Sequence, residues 1–179
     1  VKKKNNNFFN KIPLNIFFQI HLDEKWFSFF YIKNYTNIAP NYNEFISFIK
    51  DASRYNNIII TTGLINFPLL NELKKNFFDK LKDNIYYNNK FDHPVYFIDR
   101  PSIYDIESLM SKAKLLIICH GSLTHVANSF NIKIADIIEK SKEEFYSNYT
   151  YYIKNYKLFY RSKFSNLQRE LLNFIEEEK

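Results

Sequence analysis

Apolar and polar positions alternate along this chain with two different periods. Short, nearly unbroken apolar runs at residues 14–21, 57–62, 95–98, 115–119 and 133–138 read as strands. Their continuous character is that of strands covered on both faces. Between them lie stretches with helical spacing. Residues 41–55 place Phe45, Phe48, Ile49 and Ala52 on one face. Residues 68–83 open at Pro68, which suits a first helical turn, and residues 102–112 open at Ser102, a good N-cap. Residues 122–130 and 167–178 complete the helices. Strand and helix in turn predict an α/β fold, a Rossmann-like parallel sheet of about five or six strands with helices on both faces. One domain over 1–179 is expected, with a basic lead-in at 1–13, a core at 14–140, and a Tyr/Lys-rich segment with the last helix at 141–179.

Parallel sheets of this kind bind ligands beyond the carboxyl ends of their strands. The polar residues of interest fall there: His21 to Lys25, Thr61 to Gly63, Asp99 to Ser102, and His120 to His125. The last group is the richest. The run Leu115–Cys119 stops at His120-Gly121 and reopens as a helix at Ser122-Leu123-Thr124-His125. That turn holds one of the chain's two glycines and two of its four histidines. Backbone N–H groups at such a helix start suit a phosphate. Two plainer readings stand beside this one: Gly121 permits a tight turn, and His125 fills space between helix and sheet. Cys119, the single cysteine, reads as a small core residue more readily than as a nucleophile beside His120.

Composition narrows the class. The chain is 46% hydrophobic and 19% aromatic, too apolar for disorder. Its Asn, Lys, Ile, Tyr and Phe bias discounts single Asn, Tyr and Phe residues as signals. A net charge of +6 favours an anionic partner. No nucleic-acid module is visible, and residues 149–164 read as packed aromatics with lysine heads outward. One cysteine excludes an intrachain disulfide and fits a reducing cytoplasm. No signal peptide or membrane-length apolar run is visible, and a first residue of Val1 predicts a piece of a longer protein. The histidines lack the acidic or Cys neighbours of a metal site, so no metal is expected.

Three spaced blocks carry a family resemblance. Lys25-Trp26 follows the first strand, and Glu44-Phe45 opens the next helix. The strand Ile58-Ile59-Ile60 ends in Thr61-Thr62-Gly63. His120-Gly121-Ser122-Leu123-Thr124-His125-Val126-Ala127 follows the strand at 115–119. Together they resemble the carboxyl-terminal half of GT-B glycosyltransferases, most closely the ADP-heptose lipopolysaccharide heptosyltransferases (glycosyltransferase family nine). That family has an acidic residue where this chain has His120, and its glycine lies one position away.

The resemblance implies the donor-binding domain of a metal-independent glycosyltransferase, acting on a cell-surface glycan or a lipopolysaccharide-type, lipid-linked acceptor. It implies a nucleotide-diphosphate sugar as donor and no cofactor. It also implies a cytoplasmic place with peripheral contact to the inner membrane surface, and a missing N-terminal domain. The donor site would draw on Lys25, Thr61, Thr62, Gly63, His120, Gly121, Ser122, Leu123, Thr124 and His125, with His21 and Glu107 as weaker candidates. His125 is the candidate catalytic group, donating to the leaving phosphate when protonated. The alternatives are a non-catalytic or regulatory domain of the same fold, and another nucleotide-sugar enzyme such as an epimerase.

Overall fold

The computed structural model describes residues 16–178. The basic lead-in at 1–13 and the start of the first expected strand lie outside the described residues. Within them the chain runs β1 (Phe17–Leu22), α1 (Glu24–Phe27), α2 (Phe29–Asn34), α3 (Tyr42–Ala52), β2 (Ile58–Thr62), α4 (Pro68–Asn76), β3 (Asp79–Lys82), β4 (Ile85–Asn88), β5 (Val95–Ile98), α5 (Ile103–Met110), β6 (Ala113–Cys119), α6 (Ser122–Asn128), β7 (Lys133–Ile138), a 3-10 turn (Lys140–Lys142), α7 (Glu143–Thr150), β8 (Tyr156–Tyr160) and α8 (Phe164–Glu177).

The eight strands form one sheet in the order β3-β4-β5-β2-β1-β6-β7-β8. From β5 to β8 every neighbouring pair is parallel. The β3–β4 and β4–β5 pairs are antiparallel and extend one edge. The fold is the α/β, Rossmann-like sheet that the alternation implies, with eight strands in place of the five or six expected, because the β3–β4 hairpin and β8 extend its edges.

Burial follows the pleat. Phe18, Ile20 and Leu22 of β1 face a core closed by Phe45, Phe48 and Ile49 of α3, Leu70 and Leu73 of α4, and Leu167, Leu171 and Ile175 of α8. Phe17 of β1, Ile59 of β2 and Leu116 and Ile118 of β6 face the opposite core, under Ile106, Leu109 and Met110 of α5 and Ala127 of α6. Period-2 geometry forces this split, because successive strand side chains point to opposite faces.

Local signals set several boundaries. Asn41 caps α3, accepting from the Glu44 backbone N–H at 2.9 Å while the Glu44 carboxylate accepts from the Asn41 N–H at 2.9 Å. Ser102 caps α5 in the same reciprocal way with Asp105. Pro68 sits at the start of α4.

Two expectations are corrected. The helix expected over 68–83 ends at Asn76, and Asp79–Lys82 is a strand. Phe77 and Phe78 end it by packing edge-on at 4.8 Å, with Phe78 buried against Phe97 of β5 at 5.4 Å. Asp83, with φ of 46°, then turns the hairpin. The aromatic segment at 149–164 contributes β8, whose backbone completes the sheet edge beside β7.

Candidate functional site

Because β1, β2, β5 and β6 are parallel, the polar ends at 21–25, 61–63, 99–102 and 120–125 share one edge of the sheet. A cleft of about 510 Å³ opens there. Its polar lining comes from His21, Asp23, Glu24, Lys25, Thr62 and Ser122. Gly63 and Gly121 form part of its wall, and Leu64, Ile65, Ile103 and Leu123 give it an apolar side.

Lys25 is built into place. Asp23 caps α1, accepting from the Lys25 backbone N–H at 3.0 Å. The same carboxylate pairs with the Lys25 ammonium. Lys25 stays one-fifth exposed, while Asp23 is buried. Burial pulls the ammonium toward its neutral form, but the Asp23 carboxylate outweighs it and holds the Lys25 pKa above the usual lysine value. A fixed cation therefore stands in the cleft at neutral pH.

The chain's two glycines flank this loop. A Cβ on Gly121 would lie 3.2 Å from Lys25 Nζ, and a Cβ on Gly63 would lie 3.2 Å from Asp23 Cβ and 3.3 Å from Asp23 Cα. Gly121 is extended, with φ of −179°, so close approach and not turn geometry calls for glycine. The Gly63 N–H donates to the Leu22 carbonyl at 2.9 Å, tying the ends of β1 and β2 together.

His21 reaches the cleft from β1 with its other side in the sheet. Gln19 Nε2 donates to Thr61 Oγ1 at 3.2 Å, which leaves the Thr61 hydroxyl to donate to His21 Nδ1 at 3.0 Å. In this donor order the neutral imidazole keeps its proton on Nε2. Burial, helped by the Lys25 charge, lowers the His21 pKa to about 4, so the ring is uncharged near neutrality. Thr62 Oγ1 accepts from the Arg100 N–H at 2.8 Å and donates to Asp99 Oδ1 at 3.3 Å. Asp99 in turn pairs with Lys74 at 2.8 Å.

The structure divides the expected site residues. Lys25, Thr62, Gly63, Gly121, Ser122, Leu123 and His21 line the cleft. Thr61 is buried beneath it in the Gln19–His21 chain. Thr124 is fully buried, accepting from the Gly121 N–H at 3.2 Å and donating to Asp136 Oδ1 at 3.3 Å. His120 bonds Asp136 at 2.5 Å and packs against Tyr146, outside the cleft lining. His125 stacks on Tyr152 and bonds its hydroxyl at 2.6 Å; it does not line the cleft either. Glu107 lies along α5 away from the lining, and Asp105 is occupied as the capping partner of Ser102. Cys119 is buried, and burial pushes its thiol well above the usual range, as suits a core residue.

Sequence reasoning missed the apolar wall at Leu64, Ile65 and Ile103, although each follows a strand end and was legible by position. It also missed Arg161, whose place depends wholly on how β8 joins the sheet. Among the described residues, no group of three or more His, Cys, Asp or Glu side chains could hold a metal ion. Nor is any of their helices long and apolar enough to cross a membrane.

Comparison with solved structures fixes the fold. A Methanocaldococcus jannaschii UDP-GlcNAc 2-epimerase, solved with UDP-GlcNAc and UDP, superposes with a TM-score of 0.60 at 15% identity over 98% of this chain. The fold is that of a Rossmann-like GT-B half domain. A Listeria monocytogenes protein assigned as a UDP-N-acetylglucosamine 2-epimerase superposes at 0.53 and 11% identity over 96% of the chain. The chain spans 42% and 39% of the lengths of these two proteins. No family model matches the sequence, and no curated protein matches it either.

Proposed function

We propose that the cleft binds a nucleotide-diphosphate sugar and that the domain is the donor-binding half of a metal-independent glycosyltransferase. One observation carries the reading: the Lys25 ammonium is fixed by Asp23 beside Gly121, at the carboxyl edge of the sheet, in a cleft with one polar and one apolar side. A diphosphate leaving group needs its developing charge neutralised. Lys25 supplies a positive charge, and the first-turn N–H groups of Ser122 and Leu123, which have no acceptor within the helix, supply donors. The neutral His21 adds an uncharged donor at the cleft floor. Leu64, Ile65 and Ile103 suit the flat face of a base.

This assignment moves the chemistry away from His125 and onto Lys25. The heptosyltransferase likeness supports a cell-surface glycan or lipid-linked acceptor, a cytoplasmic setting and contact with the inner membrane surface as parts of the same proposal. A second reading, a UDP-sugar 2-epimerase, draws support from the two structural neighbours, whose names state that activity.

Calorimetry with UDP and ADP tests the site. We expect binding without added divalent metal, weakened by roughly 1.5–3 kcal/mol in Lys25→Ala through loss of a charge-assisted contact. Binding indifferent to Lys25→Ala overturns the proposal. Incubating the full-length protein with UDP-GlcNAc and following the sugar by NMR separates the two activities: a 2-epimer appears only under the second reading.

A further inference from the structure

A second, smaller chamber lies on the other side of Lys25. It is lined by Lys25, Arg161, His120, Glu139 and the tyrosines Tyr31, Tyr35 and Tyr146. Lys25 is thus a partition, facing the cleft on one side and the chamber on the other.

Arg161 is the unusual member. It is 7% exposed and has no carboxylate in ion-pair range among the described residues. Its Nε donates to the Thr36 carbonyl at 2.9 Å and its Nη1 to the Lys25 carbonyl at 3.0 Å. Its Nη2 is buried with no hydrogen-bond partner among the described residues. A buried guanidinium with free donors is costly unless an anion completes it. The nearby acid does not do so: Glu139 accepts from the Thr36 N–H at 2.7 Å and from its hydroxyl at 3.2 Å. Tyr31 and Tyr146 have their phenol pKa values raised, burial being the largest cause, and so remain O–H donors.

We infer that this chamber is a subsite for a carboxylate, taken up by Arg161 Nη2 with help from Lys25 and the phenols of Tyr31 and Tyr146. The chamber is small, about 20 Å³, and takes only the head of a ligand. A planar carboxylate head matches the planar guanidinium. The inference stands apart from the nucleotide reading. If both hold, a carboxylate-bearing ligand and the diphosphate lie on opposite sides of one lysine.

The test is titration of the whole protein with 13C-acetate by NMR, in the presence of UDP saturating the cleft. Acetate is expected to bind with UDP in place, and inorganic phosphate is expected not to displace it. Arg161→Gln should weaken acetate at least tenfold. Because Arg161 also holds the Lys25 and Thr36 carbonyls, a Tyr31→Phe/Tyr146→Phe double variant, altered only at half-buried hydroxyls, provides a second arm and should weaken acetate severalfold. No acetate binding, acetate binding unchanged in the double variant, or displacement by phosphate would each overturn the subsite. If UDP itself fails to bind, the nucleotide reading fails alone, and the acetate titration is read on the free protein.

Discussion

Gly63 and Gly121 are the same residue type in contact with the same loop, yet they face different atoms. At Gly121 an added methyl meets the far end of a flexible lysine, which can swing aside. At Gly63 it meets the Cβ and backbone Cα of Asp23, which cannot. Gly63→Ala should therefore cost about 1–3 kcal/mol of stability in urea unfolding, as overpacking does. Gly121→Ala should change stability by less than about 1 kcal/mol while weakening nucleotide binding, because it displaces the Lys25 ammonium. Equal stability losses would show that the loop, not the lysine, yields at both places. His21 gives a pH signature. Its folded pKa of about 4 lies below the ordinary 6.5, so the unfolded chain takes up a proton first as pH falls. Its contribution is complete above pH 6.5 and is lost on acidification through the window down to about 4. Between pH 7.5 and pH 5 this single group should remove about 2 kcal/mol. His21→Gln should flatten that part of the stability–pH curve, and an unchanged slope would assign it to other groups.

Elements on the other side of the sheet are joined by one buried carboxylate. Asp136 of β7 is fully buried and bonds His120 at the end of β6, Thr124 in α6 and Tyr156 in β8, the last at 2.7 Å. Burial, then the Asp136 charge, raises the Tyr156 phenol pKa far above its ordinary value, so it remains a donor. Asp136→Ala leaves three polar groups without their partner and should cost about 3–5 kcal/mol, whereas Asp136→Asn keeps the shape and should cost less. Thermal unfolding of the pair checks this. His120 and Thr124 attracted notice in the sequence because of their place after a strand, and that place is real. Their side chains are spent on Asp136, a partner 12 to 16 residues away that no local pattern identifies. The overrun of α4 has a similar origin. Residues 77–82 carry no helix breaker, and the decision to leave the helix lies in Phe78 reaching Phe97.

At the scale of the molecule, stability should be graded across the sheet. β1, β2 and β6 are central and buried along nearly their whole length, while β3 is an edge strand exposed at every residue. Two lysines and an aspartate on β3 discourage pairing with another chain. Native-state hydrogen exchange should show Ile20, Ile60 and Ile117 opening only on global unfolding, and the β3 amides exchanging far faster through local opening. Uniform protection across all eight strands would contradict this gradient.

The alternation of apolar runs with helical faces determined the α/β class, the parallel core strands, the capped starts of α3 and α5, and the edge at which polar residues gather. These are consequences of period and sign of hydrophobicity, which are properties of a few neighbouring residues. Only the tertiary structure decided which of those polar residues face the cleft. It committed Thr61, Thr124 and His120 to partners in other strands. It carried Arg161 to the carbonyl of Lys25, 136 residues earlier in the chain. Side-chain pairings across a sheet depend on strand order and register, and neither is written in the local pattern that makes each strand.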